Sequence, residues 1–365
     1  MLVQFKVSGF KNFKDQLDFQ LDKVNNYEFN MDAIKDGVVK TALVYGENGE
    51  GKSNLSSAIF DITLHLTDKQ KKLEFYTQYL NLELNQNAEF YYKFKFNDFF
   101  LEYRYQKSDA EKLLFEELMI NSKQVIYFDH VKNTGHVTLG GAETLNRDLT
   151  DKNISFIKYI GNNTILHKNE ENKAFDQFLH FVDNMLLISS LERNKYQGFR
   201  TGSGSVAKEI IENGKLSDFQ SFLKRAGLEF HLEEREDEGE KIIACNFNGQ
   251  LVNFYSIASK GTTSLTLFYF WLMQFDKLSL IVIDEFDAFY HNKLARFVVE
   301  EILQTQVQAI LTTHNTSIMD NDLLRPDCYF NLVQGNVTSI AASTNKELRK
   351  AHNLEKMYRA GSFNE

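Results

Sequence analysis

Hydrophobic residues recur along this chain with two different periods, and the changes of period mark out its elements. Val3, Phe5 and Val7 alternate with Gln4 and Lys6, which predicts a strand over 2–7 and not a secretory leader. Gly9-Phe10-Lys11-Asn12-Phe13-Lys14 reads as a turn, with a second strand over Gln16 to Leu21 and a polar, loop-like stretch over 22–37. Val38 to Tyr45 is β-branched and apolar, as a buried strand requires. The spacing of Leu55, Ile59, Ile62 and Leu66 predicts a helix from Asn54 to Leu66. Period two returns at Phe90–Phe96 and Phe99–Tyr105, separated by Asn97-Asp98, a hairpin pattern that Leu113–Ile120 and Gln124–Phe128 extend into an antiparallel layer. Residues 150–227 read as mostly helical. Phe175, Phe178, Leu179, Val182, Met185 and Leu186 share one face, and a helix over Leu216–Ala226 stops at Gly227. The acidic run Glu233–Glu240 fits a solvated hairpin tip between strands near Glu229 and Ile242. Leu265 to Phe275, interrupted by Thr266 and Gln274, predicts a buried helix too short to span a bilayer. Ser279–Ile283 and Val307–Leu311 are apolar throughout, as strands covered on both faces are. No internal repeat is present.

The order of these elements predicts an α/β fold: a mainly parallel sheet flanked by helices, carrying an antiparallel β-layer and an inserted helical region. The expected divisions are 1–66, 67–149 for the β-layer, 150–240 for the helical insertion, and 241–365. Hydrophobic residues make up 43% of the 365 residues and charged residues 25%, so a large core can be buried. A single proline argues against disordered linkers, and 32 Phe with 16 Tyr suit strands. The aromatics of the β-layer are expected to be its core, not a base-stacking platform. A net charge of −9 gives no bulk attraction for nucleic acid, so any such contact needs a local patch. Cys245 and Cys328 lie far apart in apolar segments, which excludes a disulfide framework or a zinc cluster and points to a reducing, cytoplasmic setting without a membrane partner.

Chemistry enters at Gly46-Glu47-Asn48-Gly49-Glu50-Gly51-Lys52-Ser53, which fits G-x-x-x-x-G-K-[ST] between a predicted strand and a predicted helix starting at Asn54. Glycines let such a loop curl with its N–H groups inward, and the helix adds its positive end, so phosphates are held by amide dipoles. Lys52 is placed to reach the β- and γ-phosphates, and the Ser53 hydroxyl to ligate Mg²⁺. The run 279–283 ends in Asp284-Glu285, at the strand end where α/β sheets bind ligands. Asp284 fits a metal-holding acid, and Glu285 a base for the attacking water. Val307–Leu311 is followed by Thr312-Thr313-His314-Asn315, one strand–helix–strand unit on, so His314 should emerge on the same edge and hydrogen-bond a γ-phosphate. Ser259-Lys260-Gly261 opens the apolar helix, a capped start that is also an anion site. Gly198-Phe199-Arg200-Thr201-Gly202-Ser203-Gly204-Ser205 has no Lys-Ser ending and reads as a flexible loop.

P-loop, long insertion, Ser-x-Gly at a helix start, apolar strand ending Asp-Glu, then Thr-His: this order resembles an ABC-type ATPase head. In that family the Ser-x-Gly element completes the site of the opposing protomer. Ser259 and Gly261 match it, while Lys260, Thr262 and Thr263 depart from the usual Ser-Gly-Gly-Gln. Asp287 matches the D-loop, and Gln78 and Gln86 are candidates for the Q-loop glutamine. The start Gly-Phe-Lys-Asn-Phe-Lys resembles the RecF/SMC/OLD branch. Asp284 to His291, Leu324-Arg325-Pro326-Asp327 and Tyr358-Arg359-Ala360-Gly361 look like the short prokaryotic ATP-binding proteins of abortive-infection and anti-phage systems. Asp320-Asn321-Asp322 mimics a fragment of a Toprim nuclease motif, but no separate sheet is expected around it. The resemblance implies an ATP hydrolase using ATP and Mg²⁺, working as a homodimer or an oligomer built from dimers and controlling a separately encoded effector protein. The alternatives are a RecF-like DNA-repair or chromosome-associated ATPase, for which a basic stripe would speak, and an ATP-dependent scaffold with little turnover.

Overall fold

The computed structural model describes residues 1–363 apart from 70–72, 85, 151–153, 193–194, 203–205 and 238. Its centre is a seven-stranded sheet in the order Lys195–Gly198, Met185–Ser189, Leu280–Asp284, Gln308–Thr313, Thr41–Tyr45, Tyr329–Val333, Asn336–Ser339. The two outermost strands run antiparallel to their neighbours, and the others pair in parallel. Leu280–Asp284 and Gln308–Thr313 are buried along their whole length, as the unbroken apolar runs predicted. The helix Lys52–Phe60 lies against the Met185, Leu280 and Gln308 strands. On the opposite side, Ile188 and Ile283 meet Leu267 and Phe268 of the helix Lys260–Leu272 and Val298 of the helix Asn292–Leu303 around a small cavity.

A second seven-stranded sheet is wholly antiparallel: Thr134–Val137, Lys123–Asp129, Leu113–Ile120, Phe99–Lys107, Ala88–Phe96, Leu2–Ser8, Leu17–Gln20. The N-terminal strands therefore share a sheet with strands from beyond residue 66, through pairs such as Phe5↔Tyr92 and Val7↔Phe90. The inner face of this layer is aromatic and packs on itself; Phe90 and Tyr105 stack with ring centres 4.9 Å apart. That face covers the far end of the Lys52–Phe60 helix. Tyr92 donates to Ala58 O at 2.9 Å, and Asp61, completely buried, accepts from Lys107 Nζ at 2.7 Å, Tyr105 OH at 2.8 Å and Tyr79 OH at 2.9 Å.

Three local readings differ from the structure. The face containing Met185 and Leu186 is not one helix: Glu170–Asp183 ends at Asn184, whose N–H takes His180 O, and Met185–Ser189 becomes a strand beside Leu280–Asp284. A short apolar run satisfies either period, and the free edge of a parallel sheet decided it. The predicted helix 54–66 is two pieces, Lys52–Phe60 and Thr63–Leu66, parted where Asp61 turns its carboxylate to the β-layer. The acidic hairpin is built from Leu232–Asp237 and Glu240–Phe247, with Gln250–Asn253 as its third strand. Leu324-Arg325-Pro326-Asp327 is a structural clamp. The buried Arg325–Asp327 pair, 2.8 Å apart, holds the 22–37 loop through Asn25 N on Asp327 Oδ2 at 2.8 Å. Asp320, of Asp320-Asn321-Asp322, is tied to Arg296 at 2.7 Å.

Candidate nucleotide site

The interior strand Thr41–Tyr45, flanked by Gln308–Thr313 and Tyr329–Val333, runs directly into the glycine loop. A Cβ at Gly46 would sit 2.8 Å from Leu332 O, so the neighbouring strand allows only glycine there. Gly51 has φ +102° and leads into the helix, whose first turn is closed by Leu55 N on Gly51 O at 2.8 Å. Its α-carbon is overlaid by Asn12, which a Cβ would meet at 2.4 Å. Asn12 Nδ2 donates to Glu50 O at 3.1 Å, and Asn12 Oδ1 accepts from Asn54 Nδ2 at 2.7 Å. Asn12 thus pins the loop from the first strand's turn, a role that its position among alternating lysines and aromatics did not announce. Glu47, Asn48, Gly49 and Ser53 are exposed on the rim, and the Glu50 carboxylate accepts from Gln334 N.

Lys52 is only 4% exposed, and its ammonium donates to Gly46 O at 3.0 Å and Glu47 O at 3.3 Å. It also meets His314 Nε2 at 2.7 Å and Glu285 Oε1 at 3.4 Å, while His314 Nε2 lies 2.9 Å from Glu285 Oε1. Three side chains, one from the helix start after the loop and two from strand ends, therefore share one spot at the mouth of the loop. Glu285 sits in the left-handed region at φ +49°, a conformation that costs a non-glycine residue about 1–3 kcal/mol. Its neighbours hold it there: Glu285 N donates to Thr312 Oγ1 at 2.8 Å and Phe286 N to Thr312 O at 3.1 Å. The same Thr312 hydroxyl donates to Asp284 Oδ1 at 2.8 Å, so one threonine aligns both acids. Ser56 Oγ reaches the same oxygen at 3.4 Å, which leaves Asp284 Oδ2 without a hydrogen bond to any described residue.

Asp287 accepts from Thr313 Oγ1 at 2.8 Å. Burial raises its pKa above the usual carboxylate value, opposed by that hydrogen bond. The Ser259 hydroxyl caps the helix Lys260–Leu272 by accepting from Thr262 N at 3.1 Å. A Cβ at Gly261 would meet Phe289 O at 2.7 Å, so this glycine is demanded by the 284–291 segment lying over the helix start. Tyr290 OH on Ser264 Oγ at 3.1 Å closes the same contact. The fold brings Lys52, Asp284, Glu285, Asp287 and His314 to one sheet edge. Among the described residues no hydrogen bond or ion pair joins Ser259 or Gly261 to 46–54. Gln78 and Gln86 lie on exposed loops without a hydrogen bond to the site. The glycine–serine loop bridges Tyr196 to Gly202, and its 203–205 stretch lies outside the described residues.

A parallel sheet with an interior strand that enters a glycine loop and helix, and with two acids and a histidine delivered by the next two strands, defines a P-loop ATPase head of the ABC type. The chain belongs to the family described as "AAA domain, putative AbiEii toxin, Type IV TA system", whose profile matches residues 42–320. Curated proteins yield no match. Solved structures similar to the chain include SMC heads. One, bound to the C-winged helix domain of ScpA, is 14% identical with a TM-score of 0.47 and covers 93% of this chain and 97% of that one. The SMC head domain from Thermotoga maritima is 15% identical with a TM-score of 0.42 and coverage of 93% and 98%. An SMC head with an extended coiled coil, bound to the C-terminal domain of ScpA from Pyrococcus furiosus, is 12% identical with a TM-score of 0.45 and 98% of each chain covered. Among the described residues no helix is long and apolar enough to cross a membrane.

Proposed function

We propose that this chain binds Mg-ATP at Gly46–Asn54 and hydrolyses it slowly, using the cycle as a conformational switch. The observation that carries this reading is the meeting of Lys52, Glu285 and His314 at the loop mouth, 2.7–3.4 Å apart. A cation fixed by two loop carbonyls meets the phosphates from below. A carboxylate beside it accepts the proton of an attacking water, and an imidazole contacts the γ-phosphate. The residues fit a magnesium ion. The Ser53 hydroxyl stands in the first turn of the loop's helix, and Asp284, 7% exposed, keeps Oδ2 without a hydrogen bond to any described residue, so these two would hold the ion. Bound there, Mg²⁺ neutralises developing phosphate charge. Asp287 and the Ser259–Gly261 helix start serve the site of a second copy, so the working unit is a head-to-tail homodimer. The family description carries toxin and Type IV toxin–antitoxin terms; the proposed role is a place in anti-phage defence, where the switch governs a separately encoded effector.

Calorimetry with Mg-ATP tests the reading. Wild-type protein should bind and release phosphate slowly, and Lys52→Ala should lose binding because the phosphates lose their main side-chain counter-charge. Near wild-type affinity in Lys52→Ala would end the assignment.

A further inference from the structure

A cavity of about 750 Å³ opens directly off the glycine loop, floored by Glu47 and Glu50 and walled by Asn331, Tyr358 and Phe363. Its position in the sheet gives it a direction. Glu285 and His314, which mark the γ-phosphate end, follow the Leu280 and Gln308 strands, on one side of the loop strand. Asn331 belongs to the strand on the other side, in register with Tyr45, the residue just before Gly46. A nucleotide whose terminal phosphate sits at Lys52 must extend its nucleoside away from the acids, along the carboxyl ends of the strands. The cavity lies along that path.

Its chemistry suits a neutral, ring-shaped occupant. The two glutamates repel an anionic tail, and Arg359 on the wall is already paired with Glu355 at 2.8 Å. Tyr358 and Phe363 present rings whose centres are 6.5 Å apart, surfaces on which a base can pack. Asn331 is 9% exposed. Tyr358 OH donates to Asn331 Oδ1 at 3.0 Å, and burial together with the nearby Glu47 raises the phenol's pKa, which keeps it a donor. That bond fixes the carboxamide: its Nδ2 has no hydrogen bond to any described residue, and Oδ1 keeps a second lone pair. One donor beside one acceptor matches the amino group and ring nitrogen of adenine. In the same pose guanine presents the reverse order, O6 as acceptor and N1–H as donor, and its N7 edge presents two acceptors, so the amide held in this orientation mismatches it.

We propose that this cavity is the base pocket of the nucleotide site and that Asn331, oriented by Tyr358, selects adenine. The proposal rests on the P-loop reading, and the experiment separates the two. Mg-ATP, Mg-GTP and Mg-tripolyphosphate are titrated into wild-type, Asn331→Asp and Tyr358→Phe protein. Wild type should bind ATP more tightly than either GTP or tripolyphosphate. Asn331→Asp replaces the donor with an acceptor, so ATP should weaken by about tenfold or more while GTP tightens. Tripolyphosphate, which has no base, should bind all three proteins alike. Tyr358→Phe frees the amide to rotate and should narrow the ATP-over-GTP ratio; it decides the question if Asn331→Asp does not fold. ATP binding with an unchanged ATP/GTP ratio in the folded variants overturns the pocket and leaves the P-loop reading standing. Failure of wild type to bind either ATP or tripolyphosphate overturns both.

Discussion

Thr312 does more for the candidate site than either acid's position in sequence implies. Its hydroxyl donates to Asp284 Oδ1 at 2.8 Å and accepts the Glu285 N–H at 2.8 Å. It therefore holds the proposed metal ligand Asp284 and braces the strained φ of the proposed base Glu285 in one contact. Two variants divide these tasks. Glu285→Gln keeps shape and polarity but cannot take a proton, so ATP should stay bound while turnover stops. Thr312→Val strands a buried amide and frees the Asp284 carboxylate, so turnover should fall about tenfold or more, with weakened Mg²⁺ dependence. Single-turnover phosphate release alongside calorimetry reads both; normal turnover in Glu285→Gln would place the base elsewhere. The loop, Asp284, Glu285 and His314 were legible in the sequence because their chemistry is tied to short spacings and strand ends. Asn12, Thr312 and Asn331 were not. Each acts through a partner that only the folded sheet brings near, as Asn12 does on Glu50 and Asn54.

Among the elements, the Lys52–Phe60 helix carries the glycine loop at one terminus and a buried charge at the other. Asp61 follows its last turn, where a carboxylate opposes the helix dipole, and is fully buried with Lys107 at 2.7 Å. Tyr79 and Tyr105 add hydroxyl donors to the same carboxylate. A charge in that place is tolerable because Lys107 and Tyr105 reach it from the β-layer and Tyr79 from the loop before it, so the layer fixes the helix that presents the glycine loop. Lys107→Met removes the cation and leaves the buried carboxylate uncompensated, a loss of about 3–5 kcal/mol. Urea unfolding should show it as a lower midpoint, and the double variant Lys107→Met/Asp61→Leu should recover much of it. A single variant as stable as wild type would mean the pair carries no weight. This link was invisible in sequence because Lys107 ends a strand of otherwise regular alternation. The β-layer itself was visible, since its period is two throughout. The strand Met185–Ser189 was hidden by its length, too short for periodicity to separate it from the helix before it.

At the scale of the molecule, the two halves of the proposed site do not meet within one chain. Ser259 caps its own helix through Thr262, and Gly261 lies under Phe289, while Lys52 is bound up with Glu285 and His314. A helix start with an exposed N-terminal turn can supply dipoles to an anion presented by something else, and in the proposed homodimer a second copy would present one at its own loop. In that proposed dimer ATP occupancy and association would be coupled, because each would stabilise the other. Ser259→Arg places a bulky cation at that contact and should abolish turnover while leaving each loop able to bind ATP. Mixing it with Lys52→Ala protein gives the sharper measurement. Heterodimers hold one site with both lesions and one with neither, so phosphate release should recover partly, in proportion to the heterodimer fraction measured by differential tagging. A site built within one chain leaves every protomer defective and predicts no recovery. Heterodimers that form without any activity, in a protein whose Glu285→Gln variant traps only one nucleotide per dimer, would mean strictly alternating sites. The same silence with two nucleotides trapped would remove the Ser259 helix from the site.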